Sequence, residues 1–206
     1  GLAVSVNMLP VGLGIFVLTY FVSLFGKEEI AAYGSAMRVE QIVLVPSIGF
    51  NISTLTLVAQ NNGARLFERI RQTLAVTLSY GAVLMGIGTV LVLIGADVLM
   101  TFFTQDPTVI RVGATYLRID ALVFYAYVVL FVHVAALQGM KRPLYALWIG
   151  LYRQIVAPGI LFWSLVHVFE AGLTGLWWGI FGVTWSAALF TLFYARRLIG
   201  QESGTV

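Results

Sequence analysis

The sequence predicts an all-α membrane protein with six transmembrane helices. Of its 206 residues, 60% are hydrophobic and only 10% are charged, whereas a soluble domain carries about 25% charged residues. The mean hydropathy is +0.94, and the apolar residues form runs long enough to cross a bilayer. No segment shows the alternation of apolar and polar residues over about ten positions that is typical of a membrane β-barrel.

The apolar runs are separated by short polar or glycine-containing breaks, and each run corresponds to one expected helix. The expected spans are residues 2–25, 30–60, 73–95, 112–138, 144–168 and 173–195, which together form one six-helix lobe over residues 1–206. The first span contains Asn7, Pro10, Gly12 and Gly14. Because proline removes a helical hydrogen bond and glycine loosens the backbone, we expect this span to be bent.

The second span, residues 30–60, is longer than a membrane crossing requires. At about 1.5 Å per residue it exceeds the roughly 30 Å hydrocarbon core, so it must tilt, kink or protrude. The span carries polar, charged and proline residues, namely Arg38, Glu40, Gln41, Pro46 and Asn51. Because charge inside a membrane is costly, it usually faces a bundle interior or an aqueous cavity. We therefore expect functional residues in this span.

The later spans follow with distinct connections. Residues 64–72 form a basic, amphipathic segment that we expect to lie at the membrane interface before the third span. The fifth span contains a further intramembrane charge, Arg153, together with Pro158. The sixth span ends before the pair Arg196 and Arg197.

The loop charges predict the orientation of the chain. One side of the membrane receives most of the basic loop residues, namely Arg65, Arg69, Arg71, Lys141, Arg142, Arg196 and Arg197. The other side has only Lys27 and Arg111, beside several acidic residues. By the positive-inside rule the first side is cytoplasmic, and six spans then place both termini in the cytoplasm.

Several classes of protein are disfavoured by the composition. The chain has no cysteine, so disulfides and thiolate metal sites are excluded. The 12 Lys and Arg residues follow the ends of apolar runs, which suits a membrane topology better than binding of nucleic acid. We find no catalytic triad, HExxH motif or phosphate-binding glycine loop. We therefore expect no enzyme activity, no cofactor and no metal site.

Several motifs together resemble one transporter family. Residues 31–64, AAYGSAMRVEQIVLVPSIGFNISTLTLVAQNNGA, resemble the eighth helix of the multidrug and toxic compound extrusion (MATE) transporters. Further motifs fit the tenth, eleventh and twelfth helices in order, namely YLRIDAL, ALQGMKRP, LYRQIVAP and GLWWGI. The resemblance covers nearly the whole chain and is to the C-terminal lobe alone.

The resemblance implies a function and partners. Members of this family have twelve spans in two lobes, which rock around a central cavity. They export cationic, amphipathic small molecules in exchange for Na⁺ or H⁺. The implied partners are thus such molecules, the lipid bilayer of the bacterial inner (plasma) membrane and an N-terminal lobe absent from this chain.

The resemblance is closer to the DinF-like branch than to the NorM-type branch. The NorM-type branch has acidic cation-binding residues where this chain has Leu18 and Tyr127. In the DinF-like branch the coupling carboxylate lies in the N-terminal lobe. We therefore expect the DinF-like arrangement.

Helical geometry and depth indicate candidate site residues. Glu40 and Asn51 share a face of the second span, and Asp120 and Tyr127 share a face of the fourth. We expect these residues to line a substrate or cation pathway. His133 points away from the face of Tyr127, so we expect it to pack or to face lipid.

Arg38 and Arg153 are expected to be structural intramembrane charges. Similar depths in the membrane suggest a Glu40–Arg153 pair and an Arg38–Asp120 pair, each offsetting a cost of at least ~2.5 kcal/mol per lone charge. These charges either hold helices together or line the pathway, and the sequence leaves both open.

Two other functions are compatible with the sequence. One is a flippase of related fold for lipid-linked precursors, which would favour a strongly cationic cavity. The other is a membrane scaffold that transports nothing and acts through helix packing.

Overall fold

The protein is helical throughout the part of the chain that the structure describes. The computed structural model describes the backbone of residues 2–203 and the side chains of residues 12–201. The α-helices are α1 Leu2–Ser23, α2 Lys27–Gly63, α3 Phe67–Thr101, α4 Pro107–Ala121, α5 Phe124–Gly139, α6 Pro143–Leu151, α7 Ala157–His167 and α8 Gly172–Ser203. A π-helical turn, Tyr152–Val156, joins α6 to α7. No strand occurs within residues 2–203, which confirms the all-α class.

Four described helices are long and apolar enough to cross a membrane. They are α2, α3, the continuous α6–α7 segment Pro143–His167, and α8 over Gly172–Gln201. The pair α4 and α5 adds a fifth crossing if it forms one bent span. The expected first span corresponds to α1, but Asn7 and Pro10 lie outside the described side chains, and Gly12–Ser23 alone is a shorter apolar helix.

The fourth expected span is not a continuous helix, which corrects the prediction. α4 ends at Ala121, α5 begins at Phe124, and the two axes are bent by 50°. The Thr89 hydroxyl donates to the carbonyl of Ala121 at 2.8 Å. The Trp185 Nε1–H donates to the carbonyl of Leu122 at 3.2 Å. Because these side chains satisfy carbonyls that the helical ladder leaves free, the break is tolerated in an apolar environment.

Two other irregularities follow from the local sequence. α3 begins at Phe67, so most of the segment expected at the interface, residues 64–72, forms the first turns of the spanning helix. The π-helical turn lies directly before the turn that contains Pro158. Proline lacks an N–H and crowds the preceding turn, which favours such a local widening of the helix.

α5 lies at the centre of the bundle. Most of its side chains are buried, and it packs against α2, α3, α6 and α8. At its end, a Cβ on Gly139 would lie 3.0 Å from the backbone nitrogen of Ala59 and 3.1 Å from the carbonyl oxygen of Leu55. Gly139 therefore allows the backbones of α2 and α5 to approach closely.

Candidate functional site

A cavity of about 550 Å³ lies between α1, α2, α4, α5, the π-helical turn, α7 and α8. Most of its lining is apolar. The polar lining residues are Tyr33, Glu40, Gln41, Tyr116, Tyr127, Arg153, Gln154 and Thr184. Glu40 and Arg153 are the charged residues among the described lining residues, so the cavity has one group of each sign.

Glu40 is held in this cavity by tyrosine hydroxyls. The phenol of Tyr116 donates a hydrogen bond to Glu40 Oε2 at 2.7 Å, and the phenol of Tyr127 lies beside the same carboxylate. A hydrogen bond to a carboxylate is stronger than one between neutral groups, so these phenols partly replace the water that the charge would have outside the protein. Glu40 is therefore a carboxylate supported by neutral donors.

The expected Glu40–Arg153 ion pair is not formed, which corrects the prediction. Arg153 interacts with Glu40 electrostatically, but the structure shows no ion pair between them. The guanidinium carbon of Arg153 instead lies 5.5 Å from the centre of the Tyr127 ring. The ring face stabilises the cation, and the Tyr116 hydroxyl binds the carboxylate, so each charge has a neutral aromatic partner.

Asp120 is buried without a hydrogen-bond partner. It is 2% exposed, and neither carboxylate oxygen finds a donor among the described residues. It does not line the cavity, but it lies one helical turn after Tyr116 on α4 and interacts electrostatically with Glu40. A charged carboxylate without donors is costly in an apolar interior. Glu40 and Asp120 are thus two interacting carboxylates. Glu40 has a donor in the Tyr116 hydroxyl, whereas Asp120 has none among the described residues.

The expected Arg38–Asp120 pair is also wrong. Arg38 lies two residues before Glu40 on α2, which turns its side chain to the opposite face, and it is exposed. On α4 the basic residue with an acidic partner is Arg118, whose guanidinium pairs with Asp97 of α3. Matching charged residues by their expected depth in the membrane does not identify this pair, because both residues lie near a helix end.

Asn51 does not line the cavity either. Its side-chain amide donates to the carbonyl of Phe131 at 3.0 Å, which joins α2 to α5. Such interhelical hydrogen bonds hold membrane helices together. Of the four expected pathway residues, the structure therefore brings Glu40 and Tyr127 to the cavity, whereas Asn51 and Asp120 pack behind its wall.

An aromatic cluster that the sequence did not reveal supports the cavity. The Tyr116 ring lies 5.5 Å from Tyr33 and 4.8 Å from Trp177 between ring centres. Trp177 is 1% exposed, so it packs inside the bundle. The cluster fixes the ring of Tyr116, and with it the hydroxyl that binds Glu40.

The lining of the cavity combines charged and aromatic groups. A carboxylate and several aromatic rings around an apolar cavity provide charge attraction and cation–π contacts. Among the described residues, no group of three or more His, Cys, Asp or Glu side chains is placed to hold a metal ion. The site is a binding cavity inside a helical membrane protein.

An apolar helix bundle with charged side chains at a central cavity is the arrangement of a membrane transporter. The chain belongs to the MatE family, whose sequence model matches residues 3–163. This confirms the resemblance to the MATE transporters.

Curated relatives share about a quarter of their length with this chain. A protein named "Probable multidrug resistance protein YoeA" from Bacillus subtilis is 28% identical over 109 residues, which are 52% of this chain and 24% of that protein. A protein named "FAD transporter" from Shewanella oneidensis is 25% identical over 129 residues, which are 63% of this chain and 28% of that protein.

Solved transporter structures share the fold. A MOP superfamily transporter from Pyrococcus furiosus superposes with a TM-score of 0.93 at 20% identity, covering 98% of this chain and 46% of that one. An inward-facing MATE family transporter of the MOP superfamily superposes with a TM-score of 0.91 at 21% identity, covering 100% of this chain and 48% of that one. The chain therefore has the fold of about half of such a transporter.

Proposed function

We propose that this chain is the C-terminal six-helix lobe of a secondary active multidrug exporter. The lobe lies in the bacterial inner (plasma) membrane with both termini in the cytoplasm. It exports cationic, amphipathic molecules in exchange for H⁺ or Na⁺, and it works with an N-terminal lobe. Membership of the MatE family and the multidrug relative support this proposal.

The observation that carries the proposal is the Glu40 carboxylate inside an apolar, aromatic cavity. The volume of about 550 Å³ falls within the roughly 300–1,000 Å³ that is usual for small-molecule sites. A drug cation and a coupling ion have the same electrostatic reason to approach Glu40. Occupation of this carboxylate by H⁺ or Na⁺ removes the charge that holds the drug, and the drug then leaves.

Alternating access requires a second lobe. The chain covers 46% of the Pyrococcus furiosus transporter, which leaves room for a partner lobe of similar size. Rocking of the two lobes exposes the cavity to one side of the membrane and then to the other. The N-terminal lobe is supplied on the same polypeptide or as a separate chain.

Export of an aromatic, phosphate-bearing anion such as flavin adenine dinucleotide is a second candidate function. Arg153 places a cation in the same cavity, beside the ring of Tyr127, and one relative is named an FAD transporter. The phosphates of such a molecule suit the Arg153 cation, and its aromatic rings suit the ring of Tyr127. The flippase alternative gains less support, because the described lining residues include one cation and one carboxylate and are not strongly cationic.

Efflux from cells tests the proposal. The chain is expressed in a transporter-deficient bacterium, alone and with an N-terminal lobe, and ethidium and flavin dinucleotide are followed with and without Na⁺ and with an imposed pH gradient. Ethidium export that needs the N-terminal lobe supports the multidrug proposal, and the ion dependence identifies the coupling ion. Flavin export alone favours the second candidate. No export in any condition, with the protein correctly inserted, contradicts both and favours the flippase or the scaffold.

A further inference from the structure

A second cavity, of about 440 Å³, lies between α8 and the segment formed by α6 and the π-helical turn. The described residues that line it are Tyr145, Trp148, Ile149, Tyr152, Ser186 and Phe190. Four of these six residues are aromatic and none is charged, whereas the lining of the main cavity includes Glu40 and Arg153. The second cavity therefore offers ring surfaces and neutral polar groups to a ligand.

The two cavities are neighbours but share no described lining residue. In the π-helical turn, Tyr152 lines the second cavity, whereas Arg153 and Gln154 line the main one. On α8, Ser186 lines the second cavity and Thr184 lines the main one. Because side chains that follow closely on a helix point in different directions, the turn and α8 separate the two cavities. The second cavity is thus a site of its own.

The aromatic rings of the second cavity are aligned with one another. The Tyr145 ring is stacked on the Tyr194 ring, with 4.4 Å between ring centres and an angle of 6°. It is also nearly parallel to the Phe190 ring, at 17°, but here the ring centres are 6.5 Å apart. This second pair is the looser stack, and both of its rings line the cavity. A planar aromatic molecule would therefore meet rings that are already oriented for stacking.

The hydroxyl groups of the second cavity donate their hydrogens to the protein itself. Ser186 Oγ donates to a backbone carbonyl of α8 at 2.8 Å, so the Tyr152 phenol is the donor in its 3.1 Å contact with Ser186. Thr191 Oγ1 also donates to a carbonyl of α8, at 2.7 Å, and accepts from the Tyr145 phenol at 3.4 Å. A hydroxyl has one hydrogen and two lone pairs. Both phenols therefore keep lone pairs, but no hydrogen, for a ligand.

We propose that this cavity binds a planar aromatic molecule that carries an N–H donor, such as an aromatic amine. The rings of the ligand pack against Tyr145, Trp148 and Phe190, and its N–H donates to the phenol oxygen of Tyr152. The side chains of Trp148 and Phe190 are exposed, so the cavity is accessible from outside the bundle. The ligand binds whether or not the chain exports drugs, because the site is separate from the main cavity.

The depth of Tyr152 favours the hydrogen bond. Tyr152 directly follows α6 and lies nine residues after Pro143, the first residue of that helix. This places it about 14 Å along the membrane-spanning segment. A hydrogen bond is stronger in such apolar surroundings than in water. A neutral aromatic amine also loses less hydration on entry than an ion does.

A fluorescence titration of the complete polypeptide that carries this chain tests the proposal. The protein is placed in lipid nanodiscs, with empty nanodiscs as the blank, and titrated with 2-aminoanthracene and with anthracene. These probes share one ring system and differ by an amino group. Tyr152→Phe removes the acceptor and keeps the ring, whereas Trp148→Leu removes a ring and keeps an apolar side chain. Tyr80→Phe and Trp163→Leu are the matched controls, because Tyr80 and Trp163 are exposed and line neither cavity.

We expect 2-aminoanthracene to bind saturably and about fivefold more tightly than anthracene, as for one added hydrogen bond. Tyr152→Phe should remove this preference and leave the binding of anthracene within about twofold of that of the unaltered protein. Trp148→Leu should weaken the binding of both probes about fivefold, because an aromatic contact is lost. Both control variants should bind the probes as the unaltered protein does.

Three results would overturn the proposal. Uptake that does not saturate, or that falls equally in the test and control variants, would mean that the probes only dissolve in the lipid. A preference for the amine that survives Tyr152→Phe would mean that this phenol is not the acceptor. Binding that is lost in Glu40→Gln but kept in Trp148→Leu would place the probes in the main cavity.

Discussion

The hydroxyl of Tyr116 on α4 donates to the carboxylate of Glu40 on α2 at 2.7 Å. This hydrogen bond connects two helices across the wall of the main cavity. The ring of Tyr116 is held by Tyr33 and Trp177, so the donor is positioned before any ligand arrives. Removal of the single hydroxyl group of Tyr116 would eliminate this contact and leave the ring in place.

Removal of the Tyr116 hydroxyl should destabilise the protein. Tyr116→Phe keeps the ring and its packing but leaves Glu40 without that donor, which we expect to cost about 1–3 kcal/mol. The midpoint of thermal unfolding in detergent should fall. Tyr80→Phe is the matched control, because Tyr80 lies exposed on α3 and its hydroxyl should contribute little. An equal midpoint for the two variants would argue against the Tyr116–Glu40 bond.

Neutralisation of Asp120 should have the opposite effect on stability. Because the Asp120 carboxylate is buried without donors among the described residues, Asp120→Asn should keep or raise the free energy of unfolding, by up to about 1–3 kcal/mol, and with it the thermal midpoint. If the charge contributes to transport through Glu40, efflux should fall while stability rises. A clear drop in the midpoint would mean that Asp120 has a partner.

The double variant Arg38→Gln with Asp120→Asn tests directly whether Arg38 and Asp120 form an ion pair. With no pair, the two changes in unfolding free energy should add to within about 0.5 kcal/mol. A larger coupling energy would show that Arg38 and Asp120 interact, as their similar depths in the membrane predict.

The break between α4 and α5 should depend on side chains from other helices. Thr89→Val removes the donor to the Ala121 carbonyl, and Trp185→Phe removes the donor to the Leu122 carbonyl. Each should cost about 1–3 kcal/mol, because a carbonyl in an apolar environment loses its partner. Hydrogen exchange should rise around residues 121–125. Trp178→Phe serves as control, since Trp178 is exposed on α8, and an equal effect there would contradict this role.

Substitution of Arg153 should distinguish the two candidate substrates. Arg153→Gln removes the cation from the cavity and keeps Glu40, so export of ethidium should be preserved within about threefold. Export of flavin dinucleotide, where present, should fall by about tenfold or more, because a charge-assisted contact is lost. Arg111→Gln, an exposed change on α4, is the control. Loss of ethidium export with retained flavin export would reverse the assignment.

The helical class could be predicted from sequence, because long apolar runs favour helices that span lipid, and the helices α2, α3 and α8 include the runs at residues 30–60, 73–95 and 173–195. The break at Ala121 could not, since the surrounding sequence has neither glycine nor proline and the donors come from Thr89 and Trp185. A local pattern carries no information on donors that are distant in sequence.

The candidate site was predictable only in part. Depth and helical phase indicated Glu40 and Tyr127 as cavity residues, but they do not determine rotamers or the tilt of neighbouring helices. Charge matching at equal depth therefore paired Glu40 with Arg153, whereas tyrosine hydroxyls and an aromatic ring are the actual partners. A phenol carries no net charge, so charge matching cannot identify it as a partner.

Ethidium-driven release of the coupling ion is the most direct test of whether drug and ion compete for Glu40. The complete transporter, with both lobes, is purified, and proton or Na⁺ release on addition of ethidium is measured for the unaltered protein, Glu40→Gln and Glu28→Gln. Glu28 is the matched control, an exposed carboxylate in the first turn of the same helix. We expect Glu40→Gln to abolish ethidium-driven release and Glu28→Gln to retain it. Undiminished release from Glu40→Gln would contradict the proposal that drug and ion compete for this carboxylate.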